Sequence, residues 1–234
     1  GGARLLCEAG ILERYHVKRI YGMHLWPQLP AGVIGTRREE MMARSSEVNI
    51  DITGKSAHAA SYQEGCDALE TACRYLCDLY AMERQIDPAE YRLLRFGVLR
   101  SGSIRNVVSD HARLEGTMRA CRDEIYDHMR DQLDAIARRY APAQFAFSFS
   151  EGYPALVNTP QIVDQALQAI PDMILLDEPQ LITEDFSWYL QHVPGMFMFL
   201  GTGTGIPLHS DHFDFDEHIL MRGIEALFSL SKLE

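Results

Sequence analysis

The stretch from residue 47 to residue 152 carries the pattern that most restricts how this chain can fold. Apolar and polar residues alternate around Ile50, Phe96 and Leu114, which predicts three strands that each bury one face. Helical spacing follows the first and the third of these strands, and a last alternating run, Phe145–Phe149, predicts a fourth strand. The order strand, helix, strand, strand, helix, strand is that of a ferredoxin-like βαββαβ unit, in which two helices cover one face of a four-stranded sheet.

The two helices of this unit are predicted from their apolar stripes. The first stripe consists of Cys66, Leu69, Cys73, Leu76 and Tyr80. The second stripe follows Asp123, the predicted N-cap, and consists of Ile125, Met129, Leu133, Ile136 and Tyr140. Cys77 is predicted to lie along the same helical face as Cys66 and Cys73. Because these three cysteines share an apolar face and form no CxxC pair, buried thiols are favoured over a zinc site.

The residues on either side of this unit are predicted to form one α/β domain. Before the unit the pattern predicts a helix at 3–8 and a short strand at 19–23. After it, the pattern predicts helices near 160–170 and 184–191, a buried strand at 196–200 and a final helix from about residue 216. We therefore predict an α/β domain of residues 1–46 and 155–234, interrupted by a ferredoxin-like domain of residues 47–154.

Composition narrows the class of protein. The 234 residues carry a formal net charge of -11, which disfavours nucleic acid and membrane partners because both require clustered Lys and Arg. No apolar run approaches the length of a bilayer span, and we expect no signal peptide. The five cysteines are expected to be reduced, which favours a cytoplasmic protein.

Two histidines are candidate metal ligands. His24 stands at the carboxyl end of a predicted strand in an α/β domain, where ligands commonly gather. His209 follows a glycine-rich loop and precedes several acidic residues that can accept a hydrogen bond from its ring. A single histidine is more often a core or surface residue. His212 and His218 are interpreted as surface histidines of an acidic loop.

Three residues of the ferredoxin-like domain are further candidates. His58 is flanked by small residues that let a ligand or a second backbone approach its ring, although a structural role is equally compatible. Asn106 lies in a predicted turn, where asparagine usually serves the backbone, but its amide can also donate to an oxyanion. Arg119 is predicted on the polar face of its strand, where it can clamp a carboxylate or pair with an acid across the sheet.

Six motifs occur together and in a fixed order along the chain. They are Gly22–Pro27 (GMHLWP), Gly54–Ala59 (GKSAHA), Asn106–Asp110 (NVVSD), Glu115–Arg119 (EGTMR), Thr183–Phe186 (TEDF) and Leu208–Ser210 (LHS). On these motifs the whole chain resembles the aminoacylase-like dinuclear metallopeptidases and amidohydrolases. It is most similar to the branch that contains hippurate hydrolase, N-acetyl-diaminopimelate deacetylase and the indole-acetyl amino acid hydrolases.

The resemblance implies an architecture and a set of roles. Residues 1–46 and 155–234 would form a zinc-peptidase-like α/β catalytic domain for two divalent metal ions, which are zinc, manganese, cobalt or nickel. Residues 47–154 would form a lid domain through which the protein makes a homodimer. His24 and His209 would be metal ligands. His58 would be catalytic, reaching across the dimer to steady the tetrahedral intermediate, and Asn106 and Arg119 would hold the oxyanion or the substrate carboxylate.

The chain also departs from the family pattern. In the family, an H-x-C-G-H-D motif and a Glu-Glu pair supply the other ligands and the general base, and both precede a segment like Gly1-Gly2-Ala3. We therefore expect a metal-dependent hydrolase of N-acyl amino acids or peptides, of the deacylase or carboxypeptidase type, that lacks its N-terminal third. As this chain alone it would be inactive, and whether it binds any metal is left open. The alternative is a non-catalytic relative that serves as a dimerisation or ligand-binding module; RNA binding is disfavoured by the acidic charge.

Overall fold

The computed structural model describes residues 2–233, which divide into two compact units. The first unit combines the chain up to Met42 with the chain from Pro154 onward, and the second unit is Ala43–Tyr153. The predicted boundaries, 46/47 and 154/155, lie four residues and one residue from these positions. The catalytic and lid roles of the two parts stay predictions.

The helices and strands follow one another in this order. The chain up to Met42 forms α1 (Gly2–Glu8), α2 (Ile11–Arg14), β1 (Ile20–Trp26), β2 (Ile34–Thr36) and β3 (Glu39–Met42). The second unit contains β4 (Arg44–Thr53), α3 (Ala68–Gln85), β5 (Arg92–Ser101), β6 (His111–Ala120), α4 (Asp123–Ala137) and β7 (Gln144–Phe149). The chain then forms β8 (Leu156–Asn158), α5 (Pro160–Ala169), β9 (Ile174–Leu175), α6 (Ser187–Leu190), β10 (Gly195–Gly201) and α7 (Ile219–Leu230).

The second unit is a four-stranded antiparallel sheet with two helices packed on one face. The strand order is β5-β6-β4-β7, and every pairing is antiparallel. The helices follow the first and third of its strands, as predicted for a βαββαβ unit. Alternate strand residues such as Val48, Ile50 and Leu114 are fully buried against the helices, which follows from the period of two in a strand.

The face of α3 that lies against this sheet is not the predicted one. The buried residues are Ala68, Ala72, Tyr75, Leu79, Met82 and Glu83. Leu69 is 42% exposed, Cys73 and Cys77 are exposed, and Cys66 precedes the helix. Both stripes have helical spacing, and the stripe with two alanines lies inside because small side chains let the helix approach the strands closely. The prediction of buried thiols was therefore wrong for Cys73 and Cys77, while all five cysteines are free.

The start of α4 also differs from the prediction. The N-cap position is Arg122, and its side chain makes no capping hydrogen bond. Asp123 is the first helical residue, and its carboxylate forms an ion pair with Arg44 at 2.9 Å. Met129, Leu133 and Ile136 are buried as predicted, with Tyr126 and Ala137 beside them; Ile125 is only partly buried, and Tyr140 lies in the 3₁₀ turn after the helix.

The first unit contains a mixed four-stranded sheet of order β1-β10-β2-β9. β1 and β10 run parallel over seven residue pairs, with His24 opposite Phe199. β10 is buried along its whole length, which agrees with the continuous apolar run at 196–200. Since β1 continues to Trp26, His24 lies within the strand, two residues before its end, rather than after it.

Both faces of this sheet are covered. Met196, Met198 and Leu200 pack on one side in a cluster that includes residues of α5 and α7. Phe197 and Phe199 pack on the other side with β3, β8 and α6 residues. On that second side Gly22 gives the aromatic rings room, because a Cβ at this position would stand 2.6 Å from the ring of Phe197. Among residues 2–233, no helix combines the length and apolar character needed to cross a membrane.

The chain enters the second unit beside the point where it leaves it. Ser45 and Tyr153, both just inside the unit, form an isolated antiparallel bridge. In this bridge the Ser45 amide donates to the Tyr153 carbonyl at 3.1 Å. Gly152 permits this approach, since it has a φ of 60° and a Cβ there would stand 1.7 Å from the Ser45 carbonyl oxygen. Outside the unit the same two segments continue as the antiparallel pair β3 and β8.

Candidate functional site

The two predicted metal ligands lie at one edge of the sheet in the first unit. His24 is close to the carboxyl end of β1, and His209 lies in the loop that follows β10. Because β1 and β10 are parallel, their carboxyl ends meet at the same edge, which is where ligands bind in open α/β sheets. The topology therefore brings two imidazoles from distant parts of the sequence to one side of the fold.

The backbone sets the proton arrangement of His24. Its Nδ1 lies 2.8 Å from the carbonyl oxygen of Leu25. A carbonyl only accepts hydrogen bonds, so Nδ1 must carry the proton and Nε2 keeps its lone pair. The side chain is exposed. An exposed imidazole whose other nitrogen is tied to a carbonyl has the arrangement that metal-binding histidines usually show.

A carboxyl group that sequence analysis left without a role accompanies His24. Glu184 lies between β9 and α6, close enough to His24 for their charges to interact. Burial raises the pKa of Glu184 above its ordinary value, and hydrogen bonding and charge from Asp185 raise it further, while the Phe186 amide and His24 act in the opposite direction. The motif Thr183–Phe186 was visible in the sequence, but nothing local indicates that it lies beside β1.

Asp185 connects the same loop to the start of the chain. Its Oδ2 accepts a hydrogen bond from the Ala3 amide at 3.1 Å, in the first turn of α1. An acidic side chain in this position satisfies one of the unpaired amides of a helix start. The loop with Glu184 and the beginning of α1 are thus held together next to the histidine edge of the sheet.

The described residues supply only part of a metal site. Two imidazoles suit zinc and related divalent ions, and Nε2 of His24 is available for coordination. Within residues 2–233, however, no three side chains of His, Cys, Asp or Glu come together in a way that could hold a metal ion. The residues present do not by themselves fit a two-metal centre, because such a centre needs several ligands for each ion.

In the second unit, main-chain pairing brings His58 and Asn106 together. The Ala59 amide donates to the Asn106 carbonyl at 3.0 Å, and the Val108 amide donates to the Ala57 carbonyl at 2.8 Å. His58 and Val107 form an isolated bridge between these two bonds. Two candidate residues far apart in sequence are therefore neighbours, which no local pattern indicated.

His58 has the opposite proton arrangement to His24. It occupies the N-cap of the 3₁₀ turn Ala59–Glu64, and its Nδ1 accepts a hydrogen bond from the Ala60 amide at 3.1 Å. An amide N–H only donates, so the neutral ring carries its proton on Nε2. The side chain is exposed. A fixed Nε2–H donor is the group that stabilises a developing oxyanion.

Arg119 lies in β6, opposite Ser45 on β4 and Leu93 on β5. Its Nε is buried and has no hydrogen-bond partner among residues 2–233. The neighbouring Arg113 instead takes the acidic partners on this sheet, Asp51 at 2.7 Å and Glu115 at 2.8 Å. Arg119 adjoins a cavity of about 600 Å³ whose lining includes Asn49 and Thr117. A guanidinium with an unsatisfied donor beside a polar cavity suits an anionic ligand.

Arg119 and the His58–Asn106 pair lie at opposite ends of the same sheet. β6 begins at His111, close in sequence to Asn106, and Arg119 is eight residues further along the strand. At the rise of an antiparallel strand, those eight residues span about 27 Å. The two candidate substrate-binding residues, Asn106 and Arg119, are therefore too far apart to contact one small molecule on the same chain.

Curated relatives match nearly the whole chain. It is 32% identical to N-acetyldiaminopimelate deacetylase of Lacticaseibacillus casei over 237 aligned residues, covering 97% of this chain and 62% of the relative. It is 31% identical to thermostable carboxypeptidase 2 of Saccharolobus solfataricus, covering 97% of this chain and 60% of the relative. The chain thus spans about three fifths of the length of these relatives.

Solved structures and a family model identify the family to which the chain belongs. The YXEP protein of Bacillus subtilis, described as a dinuclear metal binding peptidase from the M20 family, matches with a TM-score of 0.80 and 27% identity over 98% of this chain and 60% of that chain. A protein from methicillin-resistant Staphylococcus aureus shows the same fold, with a TM-score of 0.90 and 22% identity over 100% of this chain and 64% of that one. The family model matches residues 1–232. The resemblance carried by the six motifs is therefore confirmed, and the chain belongs to peptidase family M20/M25/M40.

Proposed function

We propose that this chain belongs to a metal-dependent hydrolase that cleaves the amide bond of N-acyl amino acids or small peptides, as a deacylase or a carboxypeptidase. The observation that carries the proposal is the pair of opposite histidine tautomers. His24 keeps a lone pair on Nε2 for a metal, and His58 keeps a proton on Nε2 for an oxyanion. The relatives named as a deacetylase and a carboxypeptidase support the same class of reaction.

Each candidate residue has a proposed role. His24 and His209 supply two metal ligands, and the further ligands of a dinuclear centre come from outside the described residues. Divalent ions held there would supply Lewis-acid chemistry for cleavage of the amide bond. His58 and Asn106 donate hydrogen bonds to the oxyanion, and removing one such donor typically slows turnover by about a hundred-fold or more. Arg119 binds the substrate carboxylate through its planar guanidinium.

The distance along β6 supports a homodimer. On the same chain, Arg119 lies about 27 Å along β6 from His111, the strand residue nearest in sequence to Asn106, by the rise of a strand. One substrate can meet all three groups only if they come from two chains. We therefore propose that the second unit is a lid and dimerisation domain and that His58 and Asn106 act in the site of the other copy. The free state of the five cysteines supports a cytoplasmic location as part of the same proposal.

The experiment tests ligand binding and turnover separately. An N-acetyl amino acid is titrated into the 234-residue chain with Zn²⁺ or Mn²⁺ present, and the backbone amide resonances are followed by NMR. We expect shifts around Arg119 and His58 and about a ten-fold weaker affinity in Arg119→Ala, since a charge-assisted pair is worth about 1.4 kcal/mol or more. Arg105→Ala, an exposed arginine on the 101–109 loop, is the matched control. Equal binding by both variants contradicts the role of Arg119.

Turnover by the chain alone is expected to be negligible, since no three metal-ligand side chains come together within residues 2–233. The same observation favours the second candidate function, a non-catalytic dimerisation or ligand-binding module. The two candidate functions differ in whether ligand binding depends on a metal ion. If Zn²⁺, Mn²⁺ or a chelator leaves the affinity for the N-acetyl amino acid unchanged, the result supports the module. If the metal increases that affinity through its coordination by His24, the result supports the hydrolase.

A further inference from the structure

The face of the second unit's sheet that does not contact the helices carries polar side chains. Successive residues of a strand point to opposite faces, so the buried Val48 and Met118 place their neighbours Glu47 and Arg119 on this open face. The cavity of about 600 Å³ beside Arg119 lies here. Its charged lining residues are Glu47, Arg95, Glu115 and Arg119. The cavity therefore carries charges of both signs.

Two of these four charges already have partners within the unit. Arg95 pairs with Glu83 of α3 at 2.9 Å, and its guanidinium lies 5.4 Å from the centre of the Tyr80 ring. Glu115 pairs with Arg113 at 2.8 Å, and the hydrogen bond from Arg113 lowers the pKa of Glu115 below its ordinary value. Because both charges are compensated, neither Arg95 nor Glu115 is expected to contribute much to the binding of a charged ligand.

The other two charges, those of Glu47 and Arg119, form no ion pair with any side chain of residues 2–233. The side chain of Glu47 is exposed, and its amide donates to the Ser150 hydroxyl at 2.8 Å. The Nε of Arg119 is buried and lacks an acceptor among the same residues. A buried donor normally has a hydrogen-bond partner, so we expect a ligand to supply one. The cavity thus offers one anion and one cation that the chain does not compensate.

The strand register makes Glu47 and Arg119 diagonal neighbours. Glu47 is opposite Thr117 on β6, and Arg119 is two residues further along the same strand. The Cβ atoms of such diagonal neighbours lie about 7 Å apart. Both side chains are long enough to meet across that distance, yet their charged ends do not form an ion pair in the structure. A small polar group can therefore lie between them.

The head group of a free amino acid has the charges that this gap requires. Its carboxylate can accept hydrogen bonds from the planar guanidinium of Arg119. Its ammonium can donate to the carboxylate of Glu47, which only accepts. A ligand with two negative charges would be repelled by Glu47 and Glu115, and a simple cation would be repelled by Arg119. A ligand that carries both charges on one carbon therefore fits best.

Neutral polar side chains complete the lining of the cavity. Asn49 is half-buried, and its side-chain amide makes no hydrogen bond within residues 2–233, so that it can both donate to a ligand and accept from it. The Thr117 hydroxyl donates to the Ser46 carbonyl at 3.4 Å and keeps its lone pairs for an ammonium. A few polar groups of this kind fix the orientation of a small ligand.

We propose that Glu47 and Arg119 form a binding site for the head group of a free amino acid, in which Glu47 binds the ammonium and Arg119 binds the carboxylate. This inference rests on the proposed hydrolase, in which Arg119 binds the substrate carboxylate, and it adds a second charge to the substrate. An acylated α-nitrogen carries no charge and cannot pair with Glu47. The preferred substrates are therefore amino acids that carry the acyl group on a second, side-chain amino group and keep the α-amino group free.

The test compares two ligands that differ only in the α-amino group, Nε-acetyl-L-lysine and 6-acetamidohexanoate. Each is titrated into the 234-residue chain, and the amide resonances around Asn49 and Thr117 are followed by NMR. The wild type is expected to bind Nε-acetyl-L-lysine about ten-fold more tightly, because only this ligand forms the charge-assisted contact with Glu47. Glu47→Gln should remove the difference by weakening the binding of Nε-acetyl-L-lysine alone.

Glu124→Gln, which changes an exposed carboxyl group on α4 of the same unit, is the matched control and should keep the difference between the two ligands. The inference is overturned if the wild type binds neither ligand, if it binds both equally, or if Glu47→Gln weakens both equally.

Arg119→Ala separates this inference from the proposed function. If Arg119→Ala weakens both ligands while Glu47→Gln binds them as the wild type does, the role of Arg119 stands and the ammonium site is wrong. If Arg119→Ala weakens neither ligand, the proposed function loses its carboxylate site, whatever Glu47→Gln shows.

Discussion

At the scale of single residues, one backbone group decides which ring nitrogen carries the proton in His24 and in His58. The Leu25 carbonyl makes Nδ1 of His24 a donor, whereas the Ala60 amide makes Nδ1 of His58 an acceptor. The two rings therefore present different groups at Nε2 although their side chains are identical. The hydrogen bond made by Nδ1 depends on the local conformation after folding, so a sequence motif alone does not reveal it.

Glu184 gives a pH dependence that can be measured on the chain itself. Burial raises its pKa from the ordinary 4.5, so the folded state binds this proton more tightly than the unfolded state. Its contribution to stability is fully present below the unfolded pKa and is lost as the pH rises through the folded pKa. Glu184→Gln removes the ionisation. We expect the variant to be more stable than the wild type near pH 8 and no more stable near pH 4, in urea unfolding.

The control for this prediction is Glu178→Gln, an exposed carboxyl nearby in sequence. Its effect on the urea midpoint should be the same at both pH values. If Glu184→Gln shifts the midpoint equally near pH 4 and near pH 8, the raised pKa of Glu184 is not what determines the difference between variant and wild type.

At the scale of helices and strands, the two stripes of α3 predict different costs of truncation. Leu79 has no solvent exposure and packs in the core of the second unit, whereas Leu69 belongs to the other stripe and is 42% exposed. Leu79→Ala should lower the free energy of unfolding by about 2–5 kcal/mol, since it removes a buried side chain and leaves a cavity. Leu69→Ala should change it by about 0.5 kcal/mol or less in a monomer. Chemical denaturation at low protein concentration measures both losses, and similar losses would show that the stripe with Leu69 also belongs to the core.

Strands were more predictable from this sequence than helix faces. Alternation located β4, β6 and β7 because one face of each strand is buried or half-buried and the other is more exposed. The same reasoning chose the wrong face of α3, since its two apolar stripes have equal spacing and only contact with the sheet distinguishes them. The supposed N-cap, Asp123, is instead the first residue of α4 and pairs with Arg44. A partner so distant in sequence leaves no local signal.

At the scale of the whole molecule, the second unit has a core of its own. The cluster around Ile50, Tyr75 and Leu133 lies entirely within residues 43–153. We therefore expect a fragment of residues 43–153 to fold independently, with a cooperative thermal transition by circular dichroism and dispersed amide resonances. Ile50→Asp in the same fragment should abolish the transition, because it buries an unpaired charge. A fragment that melts without cooperativity would mean that this unit needs the rest of the chain.

The candidate site was predictable only in part, because motifs identify residues but do not show which of them lie close together. Motifs named His24, His58, Asn106, Arg119 and His209, and parallel strand topology accounts for the shared edge of the two metal-ligand candidates. The sequence could not show that Asn106 and Arg119 stand at opposite ends of one sheet, since that separation depends on the direction of β6. It also could not show that Glu184 lies beside His24, because this contact links the loop after β9 with β1.

The paired entry and exit of the second unit have an evolutionary consequence. Ser45 and Tyr153 hold the two crossing segments in register, and β3 and β8 continue that register outside the unit. Excision of the intervening segment would leave two adjacent chain ends that a short hairpin turn could join. A single recombination event at this point could therefore add, remove or exchange the whole segment between related genes while the strand pairing on the other side stays intact. The junction would let the two halves of such a protein evolve on separate histories.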